Sequence, residues 1–283
     1  LDWKWWVSRS SIHPAFDMKL NLVQKPIMII THERSGTHLC MDCLRNFFHE
    51  TYIRQYPFQK TRSLYWVFPT LPTKKKLPSF ISSLQNAKSH RPLIKTHVTP
   101  DLEMVKDSAQ RELFHFLLLE SDHVYVVRDG RDVLVSYFYY QREFSSISTN
   151  FSDYLRSPQR MGHRTVVKYW VDHVIQWREL LGQEKFIYFE SLRQNMIETV
   201  SSLGDSIGLT RNHRAIERIN MDKQRIVRAF KCALGIQHST AVLPGYGDSN
   251  KWVSHFSESD KDFFKEVAGQ LLIDLGYETD MNW

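Results

Sequence analysis

Three short stretches place charged and proton-transferring side chains at the ends of apolar runs. In Leu93-Ile94-Lys95-Thr96-His97 a cation and an imidazole stand two positions apart. On an extended chain alternate side chains project to one side, so Lys95 and His97 share a face. That pairing can set a base beside an electrophile, with Lys95 stabilising negative charge as it develops. The plainer alternative is a structural histidine, because the chain holds 13 His. A second stretch, THERSGTHL over 31–39, follows the apolar run PIMII. A strand–turn–helix of this kind aims backbone N–H groups and the positive helix end at one point, which is an anion site. Arg34 adds a fixed charge with five donors, Ser35 and Thr37 add hydroxyls, and Gly36 lets backbone approach a ligand closely. The upstream Gly and the Lys of a GxxxxGK[ST] loop are both missing. The alternative here is an ordinary turn with Arg34 in solvent. The third stretch, 125–136, puts Arg128 at a strand end and Ser136 about a turn and a half into a helix, where they could clamp a second phosphate. Otherwise Arg128 simply pairs with Asp129 or Asp132.

These stretches need a frame that gathers strand ends. Apolar runs at 26–31, 92–95, 123–127 and 185–189 read as buried parallel strands. Helical patterns cover roughly 37–50, 108–119, 131–142, 164–181, 192–207, 214–231 and 258–275. Ser257 is a good N-cap for the last, with Asp260 at its third position. Strands alternating with helices predict an α/β fold, a single domain whose parallel β-sheet is flanked by helices. Ligands of such sheets bind beyond the carboxyl ends of the strands, where all three stretches fall. Residues 1–25 read as an N-terminal extension and 26–283 as the domain. Within it, 51–91, with four prolines and Lys74-Lys75-Lys76, reads as an irregular excursion.

Composition limits the function classes. The 283 residues are 42% apolar and 24% charged, which excludes a disordered chain or a coiled coil. No apolar run reaches the roughly 18–20 residues of a membrane-spanning helix. The net charge is +6, and residues 211–231 carry seven Lys/Arg against two acids, five of the six excess charges. That segment reads either as a solvated helix face or as a surface meeting a polyanion. No nucleic-acid module accompanies it, so no nucleic-acid partner is expected. Cys40, Cys43 and Cys232 are too few for a disulfide framework, which predicts a reducing, cytoplasmic setting. Cys40 and Cys43 have redox-type spacing but read as small core residues of one helix. No metal-ligand cluster is visible.

Taken in order, THERSGTHL, LIKTH, VVRDGRDVLVSYFYY, the stretch 167–192 and NKWVSHF at 250–256 resemble the sulfotransferases that use 3′-phosphoadenosine 5′-phosphosulfate, PAPS. The resemblance runs from about residue 26 to about residue 275. It implies a P-loop-like sulfotransferase fold, PAPS as sulfuryl donor and the bisphosphate PAP as product, with no metal. It implies in-line transfer to a hydroxyl or amine of a small-molecule acceptor. The first loop matches the family's 5′-phosphosulfate site, Arg128 and Ser136 match its 3′-phosphate site, and KTH matches the place of Lys and the catalytic His. His97 would be the general base, with Lys95 and Arg34 stabilising charge. Cofactor contacts would come from Arg34, Ser35, Gly36, Thr37, His38, Leu39, Arg128, Ser136, Phe189, Phe230 and Gly247. The segment 211–250 would be a basic, lid-like cover.

The pattern also departs from the cytosolic branch. Arg34 stands where Lys is usual, His38-Leu39 where Thr-Trp is usual, and Phe189 where a Tyr is usual. Gly245-Tyr246-Gly247 replaces an Arg-Lys-Gly. Glu33 and His32 flank the anion loop and compete with His97 as base. A small-molecule or nucleotide kinase with an atypical phosphate loop is the alternative enzyme class, and oligomeric state is left open.

Overall fold

Runs of branched and aromatic residues without a polar face can leave neither side of a sheet in water. In a computed structural model of the chain, which describes residues 20–51, 65–68, 77–102, 105, 107–145, 147–158, 164–212 and 249–283, those runs form one parallel sheet. Its strands are β1 (Ile27–Thr31), β2 (Tyr65–Phe68), β3 (Leu93–Thr96), β4 (Asp122–Val127) and β5 (Phe186–Tyr188), in the order β2-β3-β1-β4-β5. β1 is central, paired through Ile30 with Thr96 on one side and Tyr125 on the other. All its residues are buried, with Ile27 through Thr31 at 0% exposure. That register brings Thr31 beside His97, the first residue beyond β3.

Helices follow or precede the strands: α1 (Thr37–Phe47), α2 (Leu77–Gln85), α3 (Ser108–Glu120), α4 (Gly130–Ser145), α5 (Phe151–Arg156), α6 (Val166–Leu181), α7 (Phe189–Gln194), α8 (Met196–Ser206) and α9 (Glu258–Asp274). By internal contacts the chain forms two compact units, Leu1–Val127 with Asp172–His213, and Arg128–Val171 with Arg214–Trp283. The first holds the whole sheet. Leu39, Cys40, Cys43, Leu44 and Phe47 bury one face of α1 in its core. Burial pushes the Cys40 thiol up to about 12 and raises that of Cys43 too, so both are inert core thiols. The second unit packs Phe138, Tyr154, Phe256 and Phe264 as an aromatic cluster. Ser257 caps α9 in a capping box with Asp260, as its spacing predicts.

Several expectations are corrected. The excursion 51–91 is not wholly irregular, since it contains β2 and α2. The helix expected over 192–207 is two helices broken at Asn195, whose φ of −127° and ψ of 50° leave the helical region. The last strand stops at Tyr188, and Phe189 starts α7. The expected helix 214–231, most of the basic segment, Phe230, Cys232 and Gly247 lie outside the described residues. Among the described residues no helix is long and apolar enough to cross a membrane.

Candidate functional site

In the first unit, β1 delivers the chain into a turn that its own backbone tightens. Ser35 N–H donates to the His32 carbonyl at 3.3 Å. Arg34 sits at φ 70°, a left-handed conformation that costs a non-glycine residue roughly 1–2 kcal/mol. Gly36 follows at φ 99° as the N-cap of α1, with no side chain capping the first turn. A Cβ on Gly36 would lie 2.3 Å from the Phe189 ring, so only glycine fits between α1 and α7. The Ser35 hydroxyl oxygen is buried and meets no hydrogen-bond partner among the described residues. An uncapped helix N-terminus with an orphaned hydroxyl beside it suits an anionic ligand. Thr37 is buried instead against Thr31, with their hydroxyls 2.6 Å apart.

The strand end after β3 adds the titratable groups. Lys95 is half-buried, with Nζ 3.5 Å from His38 Nε2. Burial lowers its pKa, the Glu33 carboxylate opposes this, and the Arg34 charge lowers it further. A lysine whose charge is disfavoured by a neighbouring guanidinium makes a site that gains from an arriving anion. His97 Nδ1 lies 2.8 Å from the Thr31 carbonyl and 3.0 Å from the Thr31 hydroxyl. A carbonyl only accepts, so Nδ1 carries the proton and Nε2 keeps its lone pair. Burial, and then the Lys95 charge, push the His97 pKa down to about 3, so the ring is neutral. Of its competitors, His32 is 1% exposed and turned to the Glu33 carbonyl at 2.9 Å. Burial also takes its pKa down to about 4. Glu33 keeps 24% of its side chain exposed, and its surroundings raise its pKa to about 7.

In the second unit the turn after β4 is held from several sides. Gly130 has to be glycine because a Cβ there would meet the Trp170 ring at 2.7 Å. Arg131 is sandwiched between Trp252 and Trp283, 3.9 and 4.4 Å from their ring centroids, and pairs with Asp129 at 2.7 Å and with Glu278. Breaking that buried pairing would cost about 3–5 kcal/mol. Asp132 accepts from the backbone N–H groups of Asn250 and Trp252 at 2.8 and 3.2 Å. Arg128 is 4% exposed and lies 3.8 Å from Asp132, one of its two expected partners. Ser136 is half-buried on α4.

The remaining expected contacts are placed as follows. His38 is exposed, whereas the Leu39 side chain is buried in the core, which leaves its backbone for a ligand. Phe189 is buried with its ring over Gly36, so it shapes the loop. Sequence spacing missed Thr31, the residue that orients His97. Its signal lay in the β1–β3 pairing, which no single stretch displays. No group of three or more His, Cys, Asp or Glu among the described residues is placed to hold a metal ion.

Comparison with known proteins follows the same outline. The family model described as the sulfotransferase domain matches residues 24–276. The chain is 21% identical over 164 residues to Sulfotransferase 2A6 of Mus musculus, covering 51% of this chain and 54% of that protein. It is 23% identical over 168 residues to Sulfotransferase 2B1 of Rattus norvegicus, covering 51% and 45%. The chain therefore spans about half the length of the curated relatives it matches. Mouse sulfotransferase SULT7A1 complexed with PAP aligns with a TM-score of 0.54 at 17% identity, over 93% of this chain and 90% of that one. Retinol dehydratase in a complex with retinol and PAP aligns with a TM-score of 0.55 at 16% identity, over 92% and 84%. At such identities these two structures establish the fold alone.

Proposed function

The chain belongs to the sulfotransferase domain family, and on that premise we propose that it transfers a sulfuryl group from PAPS to a hydroxyl or amine of a small-molecule acceptor. The observation that carries the reading is the anion site of the first unit, with its α1 N-terminus uncapped by a side chain, its buried Ser35 hydroxyl without a partner among the described residues, and its Lys95 charge disfavoured by Arg34. PAPS, when bound, supplies the activated sulfuryl group. Arg34, Ser35, Gly36 and the first amides of α1 hold the 5′-phosphosulfate, joined by Thr37, His38 and the Leu39 backbone. Arg128 and Ser136 take the 3′-phosphate. Phe189, Phe230 and Gly247 complete the contacts that the family pattern assigns.

His97 is the general base in this reading. The Thr31 carbonyl fixes its proton on Nδ1, so Nε2 takes the acceptor's proton as the acceptor oxygen or nitrogen bonds to sulfur. Lys95 and Arg34 stabilise charge on the phosphate that leaves. Arg34 keeps its proton at all working pH values, so its part is electrostatic. Small acceptors are supported by the retinol complex of the retinol dehydratase structure. The buried, reduced Cys40 and Cys43 suit a cytoplasmic setting.

A radiolabelled-sulfate transfer screen with PAPS over phenols, steroids, sugars and amines tests the proposal. Label is expected to pass to at least one class. Transfer of the γ-phosphate of ATP in its place would establish the kinase alternative.

A further inference from the structure

In the second unit one buried carboxylate serves three partners at once. Asp132 lies in the first turn of α4, four positions after Arg128 and four before Ser136, with which it shares a helical face. It is 2% exposed. Its Oδ2 accepts from the Asn250 N–H at 2.8 Å, and its Oδ1 from the Trp252 N–H at 3.2 Å. Oδ2 also lies 3.8 Å from Arg128 Nη2, an ion-pair distance longer than a hydrogen bond. Asn250 has φ 61°, a left-handed conformation that asparagine tolerates better than most residues. In that conformation the N–H groups of residues 250 and 252 point at one carboxylate.

The spacing gives this arrangement its meaning. A buried guanidinium without a counter-charge would carry its desolvation cost before any ligand arrives. A carboxylate hydrogen-bonded to it in a fork would hold its donors, and a phosphate would have to displace that carboxylate. At 3.8 Å Asp132 balances the charge through space, while the two backbone N–H groups keep the carboxylate from closing the gap. Burial raises the Asp132 pKa, and the Arg128 charge is the largest influence opposing it.

We propose that Asp132 is a positioning residue of the 3′-phosphate site: anchored on the Asn250 and Trp252 amides, it sets where the Arg128 guanidinium stands, and the preference for a 3′-phosphate passes through it. The proposal rests on the reading of Arg128 as the group that takes the 3′-phosphate. Asp132→Asn probes it at nearly constant shape. An amide offers one acceptor oxygen where the carboxylate offers two, and its NH2 would oppose either a backbone N–H or the guanidinium.

Calorimetry of the full chain with PAP and with 5′-ADP reads the preference as a ratio of dissociation constants, and needs no acceptor. Asp132→Asn should lower that ratio about fivefold through weaker PAP binding, and leave 5′-ADP affinity within about twofold. In an Arg128→Ala background the same substitution should change the ratio by less than about twofold, because the group it acts through is gone. An unchanged or raised ratio in Asp132→Asn, or an equal loss of both affinities, with Arg128→Ala still losing the preference, would overturn the positioning role alone. So would the same about fivefold loss in the double variant. Arg128→Ala with its full preference for PAP would overturn the 3′-phosphate reading and this proposal together. If Asp132→Asn does not fold, Asp132→Glu decides, since it keeps the charge and displaces it by one methylene. The ratio should fall there too, and an unaltered ratio would overturn the role.

Discussion

As the proposed base, His97 would enter the reaction neutral, as a base must, but its pKa of about 3 lies far below the range where proton transfer is most efficient. Part of that depression is the Lys95 charge, which a bound anion would neutralise. A base works only when deprotonated, so activity is lost as pH falls through its pKa. The kcat/KM profile, which reports the free enzyme, should therefore be flat from about pH 5 to about pH 8. The acid limb of kcat, which reports the complex, should lie at higher pH. If Glu33 were the base, its pKa of about 7 would put a limb of kcat/KM near neutrality. His97→Ala should lower turnover by about 10²–10⁴-fold and leave PAP binding intact, measured by transfer assay and calorimetry. Glu33→Gln should leave most turnover in place. At this scale the sequence displayed Lys95 and His97 by spacing alone. It hid Thr31, because a carbonyl partner on a neighbouring strand leaves no local pattern.

In the proposed reading, cofactor binding depends on the turn between β1 and α1. Gly36→Ala would meet both the left-handed φ of 99° and the Phe189 ring. It is expected to destabilise the fold by about 1–3 kcal/mol and to weaken PAP binding about tenfold or more, read by urea unfolding and calorimetry. Normal stability and affinity would show that the turn can shift without loss. Elements whose burial dictates their residues were legible: β1, β3 and β4 as unbroken apolar runs, and α9 from Ser257 and Asp260. β2 was not, because Tyr65–Phe68 is four residues long, lies at the sheet edge and sits among prolines and lysines. The break at Asn195 was hidden as well, since an asparagine amid helix formers is a weak local signal.

Across the whole molecule, buried titratable groups set the response to acid. His32, His97, His123 and His173 all have pKa values lowered by burial, while Glu33 is raised to about 7. Between the lowered values and about pH 6.5 the unfolded chain binds more protons at each histidine, so stability rises with pH. Glu33, as pH rises from its unfolded value to about 7, and Asp132, whose pKa burial also raises, act in the opposite sense by one proton each. The four histidines outnumber these two carboxyls, so the urea midpoint should fall steadily as pH drops from about 6.5 to about 4.5. A midpoint constant over that range would mean that the histidines are not buried in their neutral forms. The central claim is that the chain recognises a nucleotide by its 3′-phosphate as well as its 5′ end, and calorimetry with PAP and 5′-ADP tests it most directly. PAP should bind at least about tenfold more tightly than 5′-ADP, and Arg128→Ala should remove most of that difference. Equal affinities, or a preference for 5′-ADP, would contradict the account.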